Sequence, residues 1–233
     1  MECKKAVSIA IDGPAGAGKS SVAKAVAVRM GYVYIDTGAM YRTVGLYAIE
    51  NGIDTHNADG LLKKALDKID INIKTDSDGQ KMFLNGKDVT KQIRTPQASI
   101  AASDVATVKS VRQRLVCIQR KMAESENVIM DGRDIGSVVL PKADVKIFLT
   151  ASAESRAKRR YDELCQKGEA ADFEKVLCDI KYRDKNDSER KESPLKVADK
   201  AKIIDTTNMN LEESVEYVYN FIKNELEGGK GEI

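Results

Sequence analysis

The sequence predicts an α/β fold: a five-stranded parallel sheet flanked by helices, with a small antiparallel insertion and a helical lid. Three observations predict it. Five short apolar segments, Val7 to Ile11, Tyr32 to Ile35, Val128 to Met130, Val145 to Leu149 and Lys202 to Ile204, read as buried strands. Helical patterns separate most of them, the alternation of a parallel sheet covered on both faces. From about Gly60 to Thr95 that alternation breaks. A short helix (Leu61 to Ile69) is followed by Ile71-Asn72-Ile73-Lys74 and Lys81-Met82-Phe83-Leu84, then by the tight-turn pair Asn85-Gly86.

Taken in order, the first strand ends at Asp12 and runs into Gly13-Pro14-Ala15-Gly16-Ala17-Gly18-Lys19-Ser20. This reads as the phosphate-binding loop G-x-x-x-x-G-K-[ST], and it makes the expected fold P-loop NTPase-like. Three glycines let the backbone bend so that N–H groups point inward at phosphate oxygens. The next helix, opening at Ser21, repeats Val22, Val26 and Met30 at helical spacing. Its N-terminus adds partial positive charge, Lys19 a point charge and Ser20 a hydroxyl for Mg²⁺. A flexible glycine turn is the bland alternative, and a strand before and a helix after it weigh against that. The last helix, Leu211 to Leu226, carries Val215, Val218, Phe221 and Ile222 on one side. The resulting layout is a core of residues 1–59 and 96–227 with a lid at about 156–190, an insertion at 60–95, and a disordered tail at 228–233.

Composition narrows the function classes. Lys and Arg total 38 against 36 Asp and Glu, a balance unlike that of a dedicated nucleic-acid binder. Cys3, Cys117, Cys165 and Cys178 form no C-x-x-C pair and no metal-like cluster with the single His56. Reduced thiols, no leader segment and no stretch of membrane-spanning length lead to the expectation of a soluble cytoplasmic protein.

The chemistry-bearing residues fall after the strands. Asp131 closes the third strand, where a carboxylate beside a phosphate loop can hold Mg²⁺ directly or through water. Arg133 and Asp134 follow at once and either face the same cleft or form a local ion pair. After the second strand comes Asp36-Thr37-Gly38-Ala39-Met40-Tyr41-Arg42. Asp36 or Thr37 caps the next helix, and Arg42, one turn in, faces the crevice at the strand ends as a bidentate phosphate ligand. Arg156, Arg159 and Arg160 share one helical face, and Arg183, Asp187 and Arg190 share another. Lys167-Gly168-Glu169-Ala170-Ala171-Asp172 breaks the helix between them. Two such helices form either a lid neutralising a transferring phosphoryl group or a solvated pair with surface ion pairs; the phosphate loop favours the lid. The insertion either closes over a substrate or elaborates the surface. No residue stands out as a nucleophile, and phosphoryl transfer needs none.

With these residues in hand, the chain closely resembles the bacterial cytidylate kinases, the CMP/dCMP branch of the nucleoside monophosphate kinases. The matching runs are Ile11 to Ser20, Asp36 to Arg42, Ile93-Arg94-Thr95, Asp131-Gly132-Arg133-Asp134-Ile135-Gly136, Val145 to Leu149 and Arg183 to Arg190, spread over residues 9 to about 207. The resemblance implies transfer of the γ-phosphate of ATP to CMP or dCMP with Mg²⁺, a monomer, and an insertion that binds CMP. It implies that Gly13 through Ser21 hold ATP and that Ser20 and Asp131 serve the metal. Ser103, Arg112 and Asp134 look like the cytosine readers, and Thr37 is similar to a family position, commonly Ser, in the same pocket. Arg42, Arg133 and Arg190 resemble acceptor-phosphate clamps, and Arg183 and Asp187 the pair on the sugar hydroxyls. Arg156, Arg159 and Arg160 match the lid arginines as a cluster. With Lys19, these clamps and lid arginines form the expected catalytic set. Spacing by itself finds neither Ser103 nor Arg112.

Two rivals remain at this stage. One is a kinase for another small acceptor, against which the Ser103, Arg112 and Asp134 set speaks. The other is a nucleotide-dependent switch, for which no guanine-reading Asn-Lys-x-Asp run is present.

Overall fold

The computed structural model describes residues 6–57, 59–76 and 79–228. The tail expected at residues 228–233 lies outside the described residues except for Gly228, which ends the last helix. The chain divides into two compact units.

One unit holds the five-stranded sheet. Its strands are β1 (Ser8–Asp12), β2 (Val33–Asp36), β6 (Val128–Gly132), β7 (Val145–Thr150) and β8 (Lys202–Asp205). They lie in the order β2-β6-β1-β7-β8. β1 pairs in parallel with β6 and β7, and β7 in parallel with β8. All five expected strands form, each within a residue or two of its sequence bounds. The inner strands form because they are buried on both faces: Ile9, Ala10 and Ile11 are wholly inaccessible, as are Ile129 and Met130, whereas the edge strand β8 buries only Ile204. Helices α1 (Lys19–Met30) and α8 (Leu211–Gly228) cover one face, setting Val22, Val26, Val218 and Ile222 against Ile9, Ile11, Ile147 and Leu149. Helices α6 (Ala153–Gln166) and α7 (Phe173–Glu189) pack on each other through Ala157, Leu164, Val176 and Ile180. The break expected at residues 167–172 is there, with Gly168 in the left-handed region at φ 74°. From β1 the chain crosses to one side of the sheet, and from β6 to the other. In open α/β sheets ligands bind outside the carboxyl ends of the strands at such a reversal. Among the described residues no helix is long and apolar enough to cross a membrane.

The other unit runs Asp36–Met122 with Arg190–Glu192, a wider span than the expected insertion at 60–95. The antiparallel sheet foreseen there forms from β3 (Ile71–Asp76), β4 (Gly79–Leu84) and β5 (Lys87–Asp88), with Asn85 and Gly86 both at positive φ between the last two. The short helix is α3 (Asp59–Ala65), tightening to a 3₁₀ turn over Leu66–Lys68. These elements share one core with α2 (Thr37–Glu50), α4 (Pro96–Val105) and α5 (Lys109–Met122), built on Met40, Leu62, Met82, Ile93, Val111 and Leu115. At Gly45 a Cβ would lie 3.0 Å from both the Ala101 Cβ and the Ala102 nitrogen, so a small residue there lets α2 and α4 touch.

Candidate active site

The loop between β1 and α1 is shaped by its glycines. Gly13 (φ 149°), Gly16 (φ 74°) and Gly18 (φ 83°) take conformations that L side chains resist. At Gly13 the constraint is also steric, because an added Cβ would sit 1.9 Å from the carbonyl oxygen of Leu149 on β7. Gly18 occupies the N-cap of α1 with no side-chain cap, and the first turn carries no acidic residue. A helix start of that kind leaves N–H groups and the positive end of the dipole for an anion. Lys19 is buried beneath it and donates to the Pro14 carbonyl at 2.6 Å. Burial lowers its ammonium well below the usual lysine range, with Arg133 adding to the effect and Asp131 and Asp187 opposing it.

Ser20 and Asp131 meet here. The Ser20 hydroxyl donates to Asp131 Oδ2 at 2.8 Å, while the Tyr34 hydroxyl donates to Oδ1 at 2.9 Å. Tyr34 had no signal in the sequence beyond its place in β2. The pair supplies hard oxygens beside the phosphate loop, the donor type Mg²⁺ takes. Asp12 was read only as the end of the first strand, yet it is 2% exposed and accepts from the backbone N–H groups of Ile135 and Gly136, each at 2.7 Å. Arg133 does not pair with its neighbour Asp134. Its Nε donates to Asp187 Oδ2 on α7 at 2.7 Å, bringing two expected site residues together. Burial works most strongly against the charge of Arg133, but Asp187, with Asp131 and Asp184, raises the guanidinium above its ordinary value. Arg183 stands one turn before Asp187 on α7. Arg190 lies just past the end of α7, so it does not continue the helical face of Arg183 and Asp187. The helix stops at Glu189, and Ser193 takes a positive φ of 51° soon after.

The three arginines of α6 take separate partners. Arg156 is buried, donating from Nε to the Ala151 carbonyl and from Nη1 to the Ala15 carbonyl, 2.8 Å each, and pairing with Asp184 of α7 at 2.8 Å. It therefore ties the phosphate loop to both helices. Arg159 donates to the carbonyls of Thr206 and Met209 in the turn before α8, and its Nη1 passes 4.0 Å from where a Cβ on Gly18 would stand. Arg160 pairs with Glu163 along the helix surface at 2.8 Å.

In the other unit, Asp36 caps α2, accepting from the Ala39 N–H at 2.8 Å, and Thr37 is the first helical residue. Arg42 Nη2 reaches back to Asp36 Oδ2 at 2.8 Å, and Arg94 approaches the same oxygen at 3.8 Å. Desolvation would raise the Asp36 carboxyl, but Arg42, Arg94 and the Ala39 N–H hold it below its ordinary value. The side chain of Gln80 on β4 brackets the Asp36 backbone, accepting from its N–H at 2.9 Å, and no sequence pattern had marked it. The Arg42 Nε and the Ser103 hydroxyl are buried without hydrogen-bond partners, as groups awaiting a polar ligand would be. Arg112 is buried with its guanidinium 5.8 Å from the Tyr41 ring centre.

The family model described as cytidylate kinase matches residues 9–224. The chain belongs to the cytidylate kinase family. It is 50% identical over 226 residues to the cytidylate kinase of Caldicellulosiruptor bescii, covering 95% of this chain and all of that one. It is 48% identical over 220 residues to the cytidylate kinase of Bacillus subtilis, covering 94% and 98%. A solved structure of an uncharacterized protein from Eubacterium ventriosum shares the fold at a TM-score of 0.51, with 14% identity and coverage of 93% and 98%. Cytidylate kinases are nucleoside monophosphate kinases, so the expectation of an enzyme stands. The cytidylate kinase residues expected from sequence fall into both units. Lys19, Ser20, Asp131, Arg133, Asp134, Arg156, Arg159, Arg160, Arg183 and Asp187 belong to the first, and Thr37, Arg42, Ser103, Arg112 and Arg190 to the second.

Proposed function

We propose that this chain transfers the γ-phosphoryl group of ATP to CMP and dCMP, yielding CDP and dCDP, by direct in-line displacement with Mg²⁺. The observation that carries the reading is the hydrogen-bonded Ser20–Asp131 pair beside the uncapped N-terminus of α1. An anion-binding helix start next to two hard oxygen donors suits a nucleoside triphosphate and its divalent ion. Ser20 and Asp131 are the residues that would hold Mg²⁺, which supplies positive charge at the phosphate oxygens when bound. Lys19 exchanges the Pro14 carbonyl for a phosphate oxygen. Its position inside the fold gives that charge a low-dielectric setting in which electrostatic stabilisation is strong.

On the acceptor side, Arg42, Arg133 and Arg190 clamp the monophosphate and Arg183 and Asp187 take the sugar hydroxyls. Ser103, Arg112 and Asp134, with Thr37, read cytosine. A carboxylate accepting from the exocyclic amine is disfavoured opposite the carbonyl of uracil, and that difference sets CMP apart from UMP. Arg156 holds the lid to the loop and Arg159 and Arg160 complete it. The enzyme on this reading is a cytoplasmic monomer with small-molecule substrates; its near-zero net charge of +2 supports no nucleic-acid partner.

The test is to mix the protein with ATP, Mg²⁺ and each of CMP, dCMP, UMP, AMP and GMP and follow ADP release. Rapid turnover with CMP and dCMP and slow turnover with UMP is the expected result. Equal rates with UMP would remove the base-reading assignment. Turnover indifferent to every acceptor would overturn the transfer reaction itself.

A further inference from the structure

The turn after β6 carries Asp131, Arg133 and Asp134, and something must hold its backbone. It continues into one wide helical turn, Ile135–Val139, closed by Val139 N–H to the Asp134 carbonyl at 3.2 Å and Leu140 N–H to the Ile135 carbonyl at 2.7 Å. The residue in the N-cap position is Asp134, and its side chain does not cap this turn. The first two N–H groups instead point across to the neighbouring strand, where Asp12 Oδ1 accepts from Ile135 and Oδ2 from Gly136. Both bonds are 2.7 Å, the short range of charge-assisted contacts, and the carboxylate is almost wholly buried.

We infer that Asp12 is a positioning residue that caps the 135–139 turn from β1, fixing the backbone that presents Arg133 and Asp134 to the acceptor nucleotide. The role rests on the transfer reaction proposed above. Capping from another strand lets residue 134 keep its carboxylate for a task other than holding its own turn. Asp12 also immediately precedes Gly13, so one residue sets the turn after β6 in register with the phosphate loop after β1. Burial pushes the Asp12 carboxyl up to about 6, against the pull of the Gly136 and Ile135 N–H groups and of Lys19, with Asp134 adding to the rise. At neutral pH it is therefore ionised and accepts from both N–H groups.

Asp12→Asn keeps the shape but turns one acceptor into a donor facing a backbone N–H. Two readouts test the inference. Amide hydrogen exchange at Ile135 and Gly136 is expected to accelerate at least about tenfold, the loss of one charge-assisted bond. In steady-state kinetics the KM for CMP is expected to rise and kcat to fall by about tenfold or more, while the KM for ATP stays within about twofold. A merely structural role would move both KM values together. An equal rise in the KM for ATP, or unchanged exchange at 135 and 136, overturns the inference. The exchange readout needs no turnover, so it stands apart from any failure of the CMP kinase reading, which the unsubstituted protein reports. Should Asp12→Asn not fold, Gly136→Ala carries the test. Its Cβ would stand 3.2 Å from the Ala198 Cβ and 3.3 Å from the Lys146 Cδ, tight enough to shift the residue whose N–H Asp12 Oδ2 accepts. The same selective loss on the CMP side, smaller in size, is then expected; wild-type kinetics would overturn the inference.

Discussion

Gly13→Ala isolates the steric origin of the phosphate loop. The added methyl would stand 1.9 Å from the Leu149 carbonyl oxygen, more than an ångström inside the 3.0 Å that Cβ atoms keep. The obstacle is backbone in a strand hydrogen-bonded to two others, and it cannot rotate away as a side chain would. Residue 13 also sits at φ 149°, where a side chain costs about 1–3 kcal/mol. Forcing extra volume into a packed site adds about 1–3 kcal/mol. The combined cost of about 2–6 kcal/mol has two outlets. If the strands hold, the protein absorbs it as lost stability, and Tm falls by roughly 5–20 °C. If the loop shifts away instead, the N–H groups at the start of α1 move by about 1 Å, enough to lower kcat on the order of a hundredfold. Calorimetric Tm measured beside ATP-dependent kinetics distinguishes the outlets. A variant with both Tm and kcat of the parent would refute the argument, since the strain would have nowhere to appear.

Ser20→Ala removes the hydroxyl from Asp131 but leaves the Tyr34 bond, so stability is expected to change by only about 1 kcal/mol. The Mg²⁺ concentration needed for half-maximal rate should rise severalfold; an unchanged Mg²⁺ titration would remove Ser20 from the metal site. Arg156→Lys replaces a fork with a point charge where three acceptors are fixed, so urea titration should show a loss of about 1.5–3 kcal/mol. Arg160→Lys, in an exposed pair along one helix, should cost under about 0.5 kcal/mol, and equal losses for both would contradict the distinct settings described. Asp36→Asn tests the sign of a pH effect. The folded carboxyl lies below its ordinary 3.8, so its ion pairs add stability above that pH, and the gain is lost as pH falls through the folded value. The parent should exceed the variant by roughly 3 kcal/mol at pH 7, with the gap closing below about pH 4. A gap independent of pH would mean the charge on Asp36 is not what stabilises.

The local pattern in the chain was enough to place the phosphate loop, because its glycines, Lys19 and Ser20 are contiguous and each does its work within a few residues. The inner strands were legible for a related reason: a strand buried on both faces must be apolar throughout, as Ile9-Ala10-Ile11 is. The helix cap, narrowed to Asp36 or Thr37, and the break at Gly168 were equally local; the structure makes Asp36 the cap. Arg159 shows where that legibility ends. Helical spacing puts it on a face with Arg156 and Arg160, but its carbonyl partners come from the turn before α8, some fifty residues on.

What the sequence by itself determined is therefore the class of chemistry and the sheet that carries it: a phosphate loop between a buried strand and a helix. The tertiary structure alone decided which charges meet. Arg133 turns from adjacent Asp134 to Asp187, Tyr34 finds Asp131, and Asp12 caps a turn more than a hundred residues away. The physical reason is that a buried polar group must find a partner, and the nearest partner in space is set by strand order and helix packing, which no short stretch of chain encodes.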